Sequence, residues 1–323
     1  MRVLLLLLAF ALAAGADRVQ PRGDLRPIAV STAAVPLSAA DPALERVGRL
    51  KYLGGVEIHS ADPRFGGLSG LRWASPGHLV AITDGGQWVT LATRERGGRL
   101  LGLEQVQVGI VRGPARDPLT GKAHADAEAL ELSEEGLTVA FEMDARVWRY
   151  REVGGAAASE EFPDPEWLKS LPRNRGVEAM ARLPGGWVYL SEAVAGDGSN
   201  EGVIAPRGGL ARRHGRVKLR LPGGYVPTDA DALDPGHILI VGRRFSVAAG
   251  MSAVIAQVPV DFAAQRLGEA KILATLSPPL SVDNMEGLAL AHEGDRVFLY
   301  LCSDDNFSPI QRTLLLKFEL LPE

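Results

Sequence analysis

Acidic residues recur in this chain at two repeated places. One set opens short apolar runs: Asp126 and Glu128, Glu178, Asp229 and Asp231, and Asp283 and Glu286. A second set closes the runs that follow: Asp84, Glu142 and Asp144, Glu192, and Asp304 and Asp305. If the runs are antiparallel neighbours, the start of one adjoins the end of the next, so both sets meet at one end of the structure. Carboxylates concentrated there repel one another unless a cation or a substrate compensates them. Oxygen-only ligands on turns suit Ca²⁺, which takes about six to eight oxygens. A carboxylate not spent on an ion can act as a general base. A purely structural reading competes, in which these acids cap turns and pair with Arg72, Arg146, Arg175 or Arg243. One acid per repeat, in register, is hard to obtain from turn chemistry, so metal binding is the stronger expectation.

Other side chains offer less. Arg243 and Arg244 stand in the second set where other repeats carry an acid, and either grip a phosphate or carboxylate or balance neighbouring acids. Ser69 takes the acid's place in the first repeat, but Leu71 breaks any G-x-S-x-G pattern, so a nucleophile-elbow hydrolase is not supported. The six histidines show no paired ligand spacing. His124, just ahead of Asp126, is a possible base or simply polar loop filler. Cys302 is the only cysteine, so no disulfide forms within the chain; it reads as a small strand-end residue.

The elements that carry these residues repeat. GGLSGLRW (66–73), DAEALEL (126–132), GVEAMARL (176–183), TDADALD (228–234) and DNMEGLAL (283–290) are each followed by a polar turn and a second apolar run. They align at Ser69-Gly70-Leu71, Glu128-Ala129-Leu130, Glu178-Ala179-Met180, Asp231-Ala232-Leu233 and Glu286-Gly287-Leu288. The spacing of roughly 50 to 60 residues is that of four strands and their turns, the period of a propeller blade. The small residue after each acid suits an innermost strand crowding a central channel. An all-β fold is predicted: a β-propeller with five readable repeats, and a sixth degenerate blade possible in 95–125 or 155–175. The last repeat has three strands, and the strand at Val47–Ile58 is its natural fourth. Borrowing it closes the ring and hides both sheet edges.

Arg2, the apolar run Val3–Leu12 and Ala14-Gly15-Ala16 read as a signal peptide over 1–16. A Pro/Ala-rich disordered lead is expected over 17–46, then a single domain over 47–323. A periplasmic or secreted protein is therefore expected. With 46% hydrophobic residues the chain can bury a large core, and 37 Gly and 21 Pro fit many turns. The net charge of −4, with both signs interspersed, gives no reason to expect nucleic acid as a partner. No second apolar run suggests a membrane span, and a monomer is expected.

The succession FGGLSGL, ITDGG, DAEALEL, GVEAMARLPGGWVYLSE, PTDADAL, DNMEGLAL and SDDNFSPIQRTLLLKFEL resembles the exported phytase-like proteins described as "esterase-like activity of phytase". The likeness runs from about Val47 to Leu320, and SDDNF-x-x-x-Q-x-T-x-L-L is its most specific part. It implies an exported β-propeller with hydrolase or esterase-type activity and, by analogy with propeller phytases, calcium. By position it points to Glu128, Glu178, Asp231, Glu286, Asp304, Asp305 and Asn306. The chain lacks the DDPA-type acidic run and the many Lys and Arg that propeller phytases place around phosphate, which argues against phytate as substrate.

The candidate metal ligands are thus Asp84, Glu128, Glu178, Asp231, Glu286 and Asp305. Glu128, Glu178, Glu286 and Asp304 are candidates for the chemistry, and Arg243, Arg244 and Asn306 for contact with substrate. The expected function is metal-dependent hydrolysis of a small-molecule ester or phosphoester at an acid-lined channel mouth. A non-catalytic binding propeller with a structural calcium ion, or a lactonase-like propeller enzyme, uses the same carboxylates and stays open.

Overall fold

Short β-rich runs punctuated by turns cannot bury their apolar faces singly, and here they do so by stacking as five sheets in a ring. The computed structural model describes residues 24–159, 162–207 and 214–322. Blade 1 runs outward through Leu68–Ser75, His78–Thr83, Gln87–Arg96 and Arg99–Ile110. Blade 2 comprises Ala127–Ser133, Gly136–Phe141, Arg146–Tyr150 and Ala157–Ser159; blade 3 comprises Val177–Leu183, Gly186–Val194, Asn200–Pro206 and Gly215–Leu219. Blade 4 is built from Val226–Asp234, His237–Ser246, Gly250–Asp261 and Lys271–Leu276. Blade 5 takes Met285–Glu293, Arg296–Ser303 and Leu314–Leu320 from the end of the chain and Leu50–His59 from its beginning.

That last pairing closes the ring as predicted. Leu314–Leu320 lies antiparallel to Leu50–His59, from Leu314↔Glu57 to Leu320↔Leu50. The fold is a five-bladed β-propeller. The stretches in which a sixth blade could have hidden are occupied otherwise. Residues 95–125 hold the outer strand of blade 1 and a helical turn at Lys122–Ala125, and the helix Pro165–Ser170 lies within 155–175. Asp164 caps that helix by accepting from the Trp167 N–H at 2.9 Å, and Trp167 and Leu168 are buried between blades 2 and 3.

The lead is a correction. Residues 24–46 are not a disordered tail: Arg26–Ile28 pairs with the outer strand of blade 1, and Ser31–Ala34 pairs with Leu50–His59. Edge strands need backbone pairing rather than an apolar face, so a Pro/Ala-rich composition hides them. The signal peptide expected over 1–16 lies outside the described residues. Among those described, no helix is long and apolar enough to cross a membrane.

Five hydrophobic clusters, one between each pair of neighbouring blades, make up the core. The inner strands crowd the axis, as the small residues suggested. A Cβ on Gly70 would lie 2.9 Å from Leu130 Cβ, and one on Gly287 would lie 2.3 Å from Cys302 Sγ. Arg72 fills the centre. Its guanidinium pairs with Glu131 of blade 2 (3.0 Å) and Asp229 of blade 4 (2.9 Å). It also donates to the carbonyls of Leu71, Met180, Ala230 and Leu288, and so ties all five blades together.

Candidate functional site

All five inner strands carry a β-bulge at the same height, and the bulged residues are Ser69, Glu128, Glu178, Thr228 and Glu286. A bulge leaves one residue unpaired and re-aims its side chain. In blades 2, 3 and 5 that side chain is a glutamate directed into a cavity at the channel mouth. The second strands reach the same cavity two residues past the partner of the residue that follows each bulge, with Asp84, Glu142, Glu192, Arg243 and Asp304, one per blade.

The cavity has a volume of about 150 Å³. Its wall carries seven carboxylates (Asp84, Glu128, Glu142, Glu178, Glu192, Glu286 and Asp304) against two cations, Lys122 and Arg243, with Asn174 and Asn306 at the side. Both cations are engaged. Arg243 lies 3.0 Å from Glu286 and 3.4 Å from Glu192. Lys122, on the turn that precedes blade 2, stands 3.2 Å from Asp126 and 3.7 Å from Asp84. Among the described residues, Glu128, Glu142, Glu178 and Asp304 form no ion pair with an arginine.

Burial and mutual repulsion push these groups up. Burial, then the charges of Glu178 and Glu286, raises Glu128 well above the usual carboxylate range. Burial, then Glu192 and Glu142, does the same to Glu178. Glu142 is pushed up to about 7, mainly by burial, although Gly176 N–H donates to it. Asp304 reaches about 9, through burial and then Glu286, although it accepts from the Asn306 N–H at 2.6 Å.

Two groups of carboxylates bring ligand oxygens within 4.8 Å of one another: Asp126 with Glu128 and Glu142, and Glu142 with Glu178 and Glu192. Asp126 is 1% exposed; the largely exposed Lys122 ammonium stands 3.2 Å from it, but among the described residues neither carboxylate oxygen accepts a well-formed hydrogen bond. Leaving a buried carboxylate without donors is costly unless a cation completes it. An all-oxygen donor set with so little positive charge opposite it fits a hard divalent cation.

Several sequence candidates fall elsewhere. Asp231 lies three residues past the bulge, and the repeat in blade 4 is set by Thr228, whose hydroxyl donates to the Met285 carbonyl. The carboxylate of Asp231 accepts from the N–H groups of Leu290 and Ala232, deeper in the channel. Asp231-Ala232-Leu233 looks like the match because the residue at the true position, Thr228, is not an acid. Asp305 holds its own loop together, accepting from the N–H groups of Gly67 and Phe307 and from the Thr313 hydroxyl. Arg244 is exposed, donates to the Gly223 carbonyl and stacks over Tyr225 at 4.7 Å. Neither it nor Asp305 lines the cavity.

Asp84, Glu128, Glu178, Glu286, Asp304, Arg243 and Asn306 do come together there. The structural reading of the acids holds for Asp229 with Arg72 and for Asp144 with Arg146. It holds for Glu192 and Glu286, which share Arg243. Glu142 and Glu192 were visible on the second ring but were not singled out as ligands, and Asp126 was visible on the first. Lys122 and Asn174 carried no repeat signal, because they sit on the segments that lead into blades 2 and 3. Among the described residues no histidine lines the cavity, and His124 sits on the surface 3.9 Å from Asp144. Cys302 is fully buried, and burial pushes its thiol well up, so it is no nucleophile. A larger hollow of about 840 Å³ at the opposite end of the inner strands is reached by none of the ring carboxylates.

Comparison with solved structures finds distant likenesses. A thermostable family-43 glycoside hydrolase shares 10% identity at a TM-score of 0.45, over 79% of this chain and 91% of that one. The PQQ-bound aldose sugar dehydrogenase of Streptomyces coelicolor shares 14% identity at a TM-score of 0.39, over 90% of this chain and 99% of that one. Comparison with curated proteins gives no match. A family model does match, over residues 63–307, which hold every carboxylate of the cavity. The chain belongs to the phytase-like family described as "esterase-like activity of phytase".

Proposed function

We propose that this protein is an exported, metal-dependent hydrolase of ester or phosphoester substrates, acting at the acid-lined mouth of the propeller. The observation that carries the reading is the cluster of buried carboxylates, Asp126 with Glu128 and Glu142 and Glu142 with Glu178 and Glu192, which Lys122 and Arg243 offset only in part. Asp126, Glu128, Glu142, Glu178 and Glu192 would hold the cation. A bound calcium ion supplies Lewis-acid polarisation of an ester or phosphoryl oxygen.

The chain's own residues do the rest. Asp304, pushed up to about 9 and outside both ligand groups, holds a proton at neutral pH and can pass it to a leaving oxygen. Arg243, fixed by Glu192 and Glu286, presents a guanidinium edge to an incoming anion. Asn306 places an amide at the entrance.

The test is hydrolysis of aryl esters and aryl phosphates by the protein before and after chelation. Loss of turnover on chelation and its return with calcium support the reading. Tight calcium with no turnover on either panel would replace it with a binding propeller holding a structural ion. Export rests on the N-terminal residues alone, and N-terminal sequencing of protein from a bacterial envelope fraction should begin at Asp17. A chain from the cytoplasm retaining Met1 refutes it.

A further inference from the structure

Large apolar side chains are exposed on the face that holds the acidic cavity. Among the described residues six large hydrophobic side chains are exposed: Leu101, Val194, Phe245, Val247, Phe307 and Ile310. All but Leu101 follow a second-ring residue by a few positions: Val194 after Glu192, Phe245 and Val247 after Arg243, Phe307 and Ile310 after Asp304. They therefore stand on the mouth face, on the connections between second and third strands or at the ends of those strands in blades 3, 4 and 5. Exposed hydrophobics gathered on one face mark a binding surface more often than scattered ones do.

Phe307 is the best placed of them. It follows Asn306, which lines the cavity, and it is 50% exposed. Its ring lies over the backbone of Gly66 and Gly67 and beside Gly85. A Cβ on Gly67 would lie 2.8 Å from Phe307 Cε2 and 2.0 Å from Asp84 Oδ1, so ring and cavity carboxylate are neighbours across one glycine. The backbone is held in an unusual state to achieve this, with φ of 49° at both Asn306 and Phe307. Asparagine tolerates that region, whereas a bulky phenylalanine there is strained. Asp304 and Asp305 hold the pair in place by accepting from the two N–H groups. A strained aromatic with half its surface in water gains little stability where it stands, and such strain concentrates at sites of recognition.

We propose that Phe307 is a specificity-determining residue. It forms the apolar wall against which the organic group of an amphiphilic ester or phosphoester lies while the anionic end enters the cavity. The inference rests on the hydrolase reading of the same cavity and names its substrate class. It excludes uniformly polar polyphosphates, which offer Phe307 nothing to cover, and the acidic cavity and negative net charge disfavour an anionic bilayer as the occupant.

The experiment uses the calcium-loaded full chain and two non-hydrolysable probes, phenylphosphonate and methylphosphonate, with affinities read by calorimetry. Wild type should bind the phenyl probe about tenfold more tightly, the gain expected of one well-packed aromatic contact. Phe307→Asn should reduce that preference to about twofold while leaving the methylphosphonate affinity unchanged. Phe307→Leu should keep part of it. The Asn variant should melt no lower than wild type, because asparagine accepts φ near 49° more readily, whereas a merely structural phenylalanine would leave it less stable. Equal affinities in wild type, or a preference that survives in Phe307→Asn, overturns the inference alone. Failure of wild type to bind either phosphonate overturns the hydrolase reading and this inference with it. Association with phosphatidylcholine vesicles that disappears in Phe307→Asn would show a lipid surface as the occupant and overturn the single-substrate proposal.

Discussion

Two layers of the same channel treat buried charge in opposite ways. At the centre, Arg72 faces Glu131 and Asp229 and satisfies four carbonyls besides. Burial pushes both carboxyls up and the guanidinium pulls them back. At the mouth, one turn of the pleat away, seven carboxylates share Lys122 and Arg243. The centre carries its own counter-ion and is a structural pin. The mouth is left short of positive charge, and the buried Asp126 meets only the largely exposed Lys122 ammonium among the described residues. The propeller thus supplies cations where it needs cohesion and withholds them where an external cation would bind.

The largest test of this contrast is Arg72→Met. It would strand Asp229 and Glu131 in the core, and breaking a buried pair from one side costs about 3–5 kcal/mol. Cooperative unfolding should be lost or its midpoint sharply lowered, and calcium should not restore it. Survival of wild-type melting would show that the centre is not a pin. At the mouth the same kind of deletion should act the other way. Glu142→Gln and Glu178→Gln each remove a repelling charge, so the metal-free protein should melt at the same temperature or higher. Calcium affinity should nevertheless fall about tenfold or more, since one unit of charge leaves a shared ligand set. A drop in metal-free stability with unchanged affinity would make these glutamates structural.

A smaller effect is the response to pH. Glu142 moves from 4.5 to about 7 on folding and Asp304 from 3.8 to about 9. A carboxyl whose pKa is raised in the folded state favours folding below its unfolded value, and that contribution is lost as pH rises through the folded value. Metal-free melting should therefore fall between about pH 4 and pH 9, with calcium raising it more at pH 8.5 than at pH 5. A calcium effect independent of pH would place the ion away from these two groups. The smallest effect is Lys122→Ala. The ammonium is 62% exposed and competes for Asp126 only weakly, so its removal should tighten calcium binding by about fivefold at most. Weaker binding would make Lys122 part of the site rather than a competitor for it.

Much of this was legible from residue order. The five in-phase runs announced a propeller, and the unpaired strand at Val47–Ile58 announced how its ring closes, because an open edge is a standing liability. Most second-ring acids were placed correctly, since their position depends only on counting to the end of an apolar run. Arg243 stands with them, held by its contacts with Glu192 and Glu286. The first ring failed at blade 4. Asp231-Ala232-Leu233 imitates the acid–small–apolar pattern three residues past the bulge, while Thr228, which is not an acid, holds the place.

The sequence by itself determined the repeat, the fold class, the closing strand and the excess of acids over cations at one end of the channel. Each follows from local periodicity or from the identity of residues at turn boundaries. Tertiary structure alone decided which acids are compensated. Asp229 and Glu131 meet Arg72 from blades some 60 to 160 residues apart in the chain, whereas Asp126 meets only the largely exposed Lys122 among the described residues. It also decided that Arg26–Ile28 and Ser31–Ala34 seal outer edges, and that Phe307 stands beside Asp84 at the entrance. Charge compensation and edge pairing are contacts between distant segments, and periodicity along one strand carries no record of what the neighbouring blade presents to it.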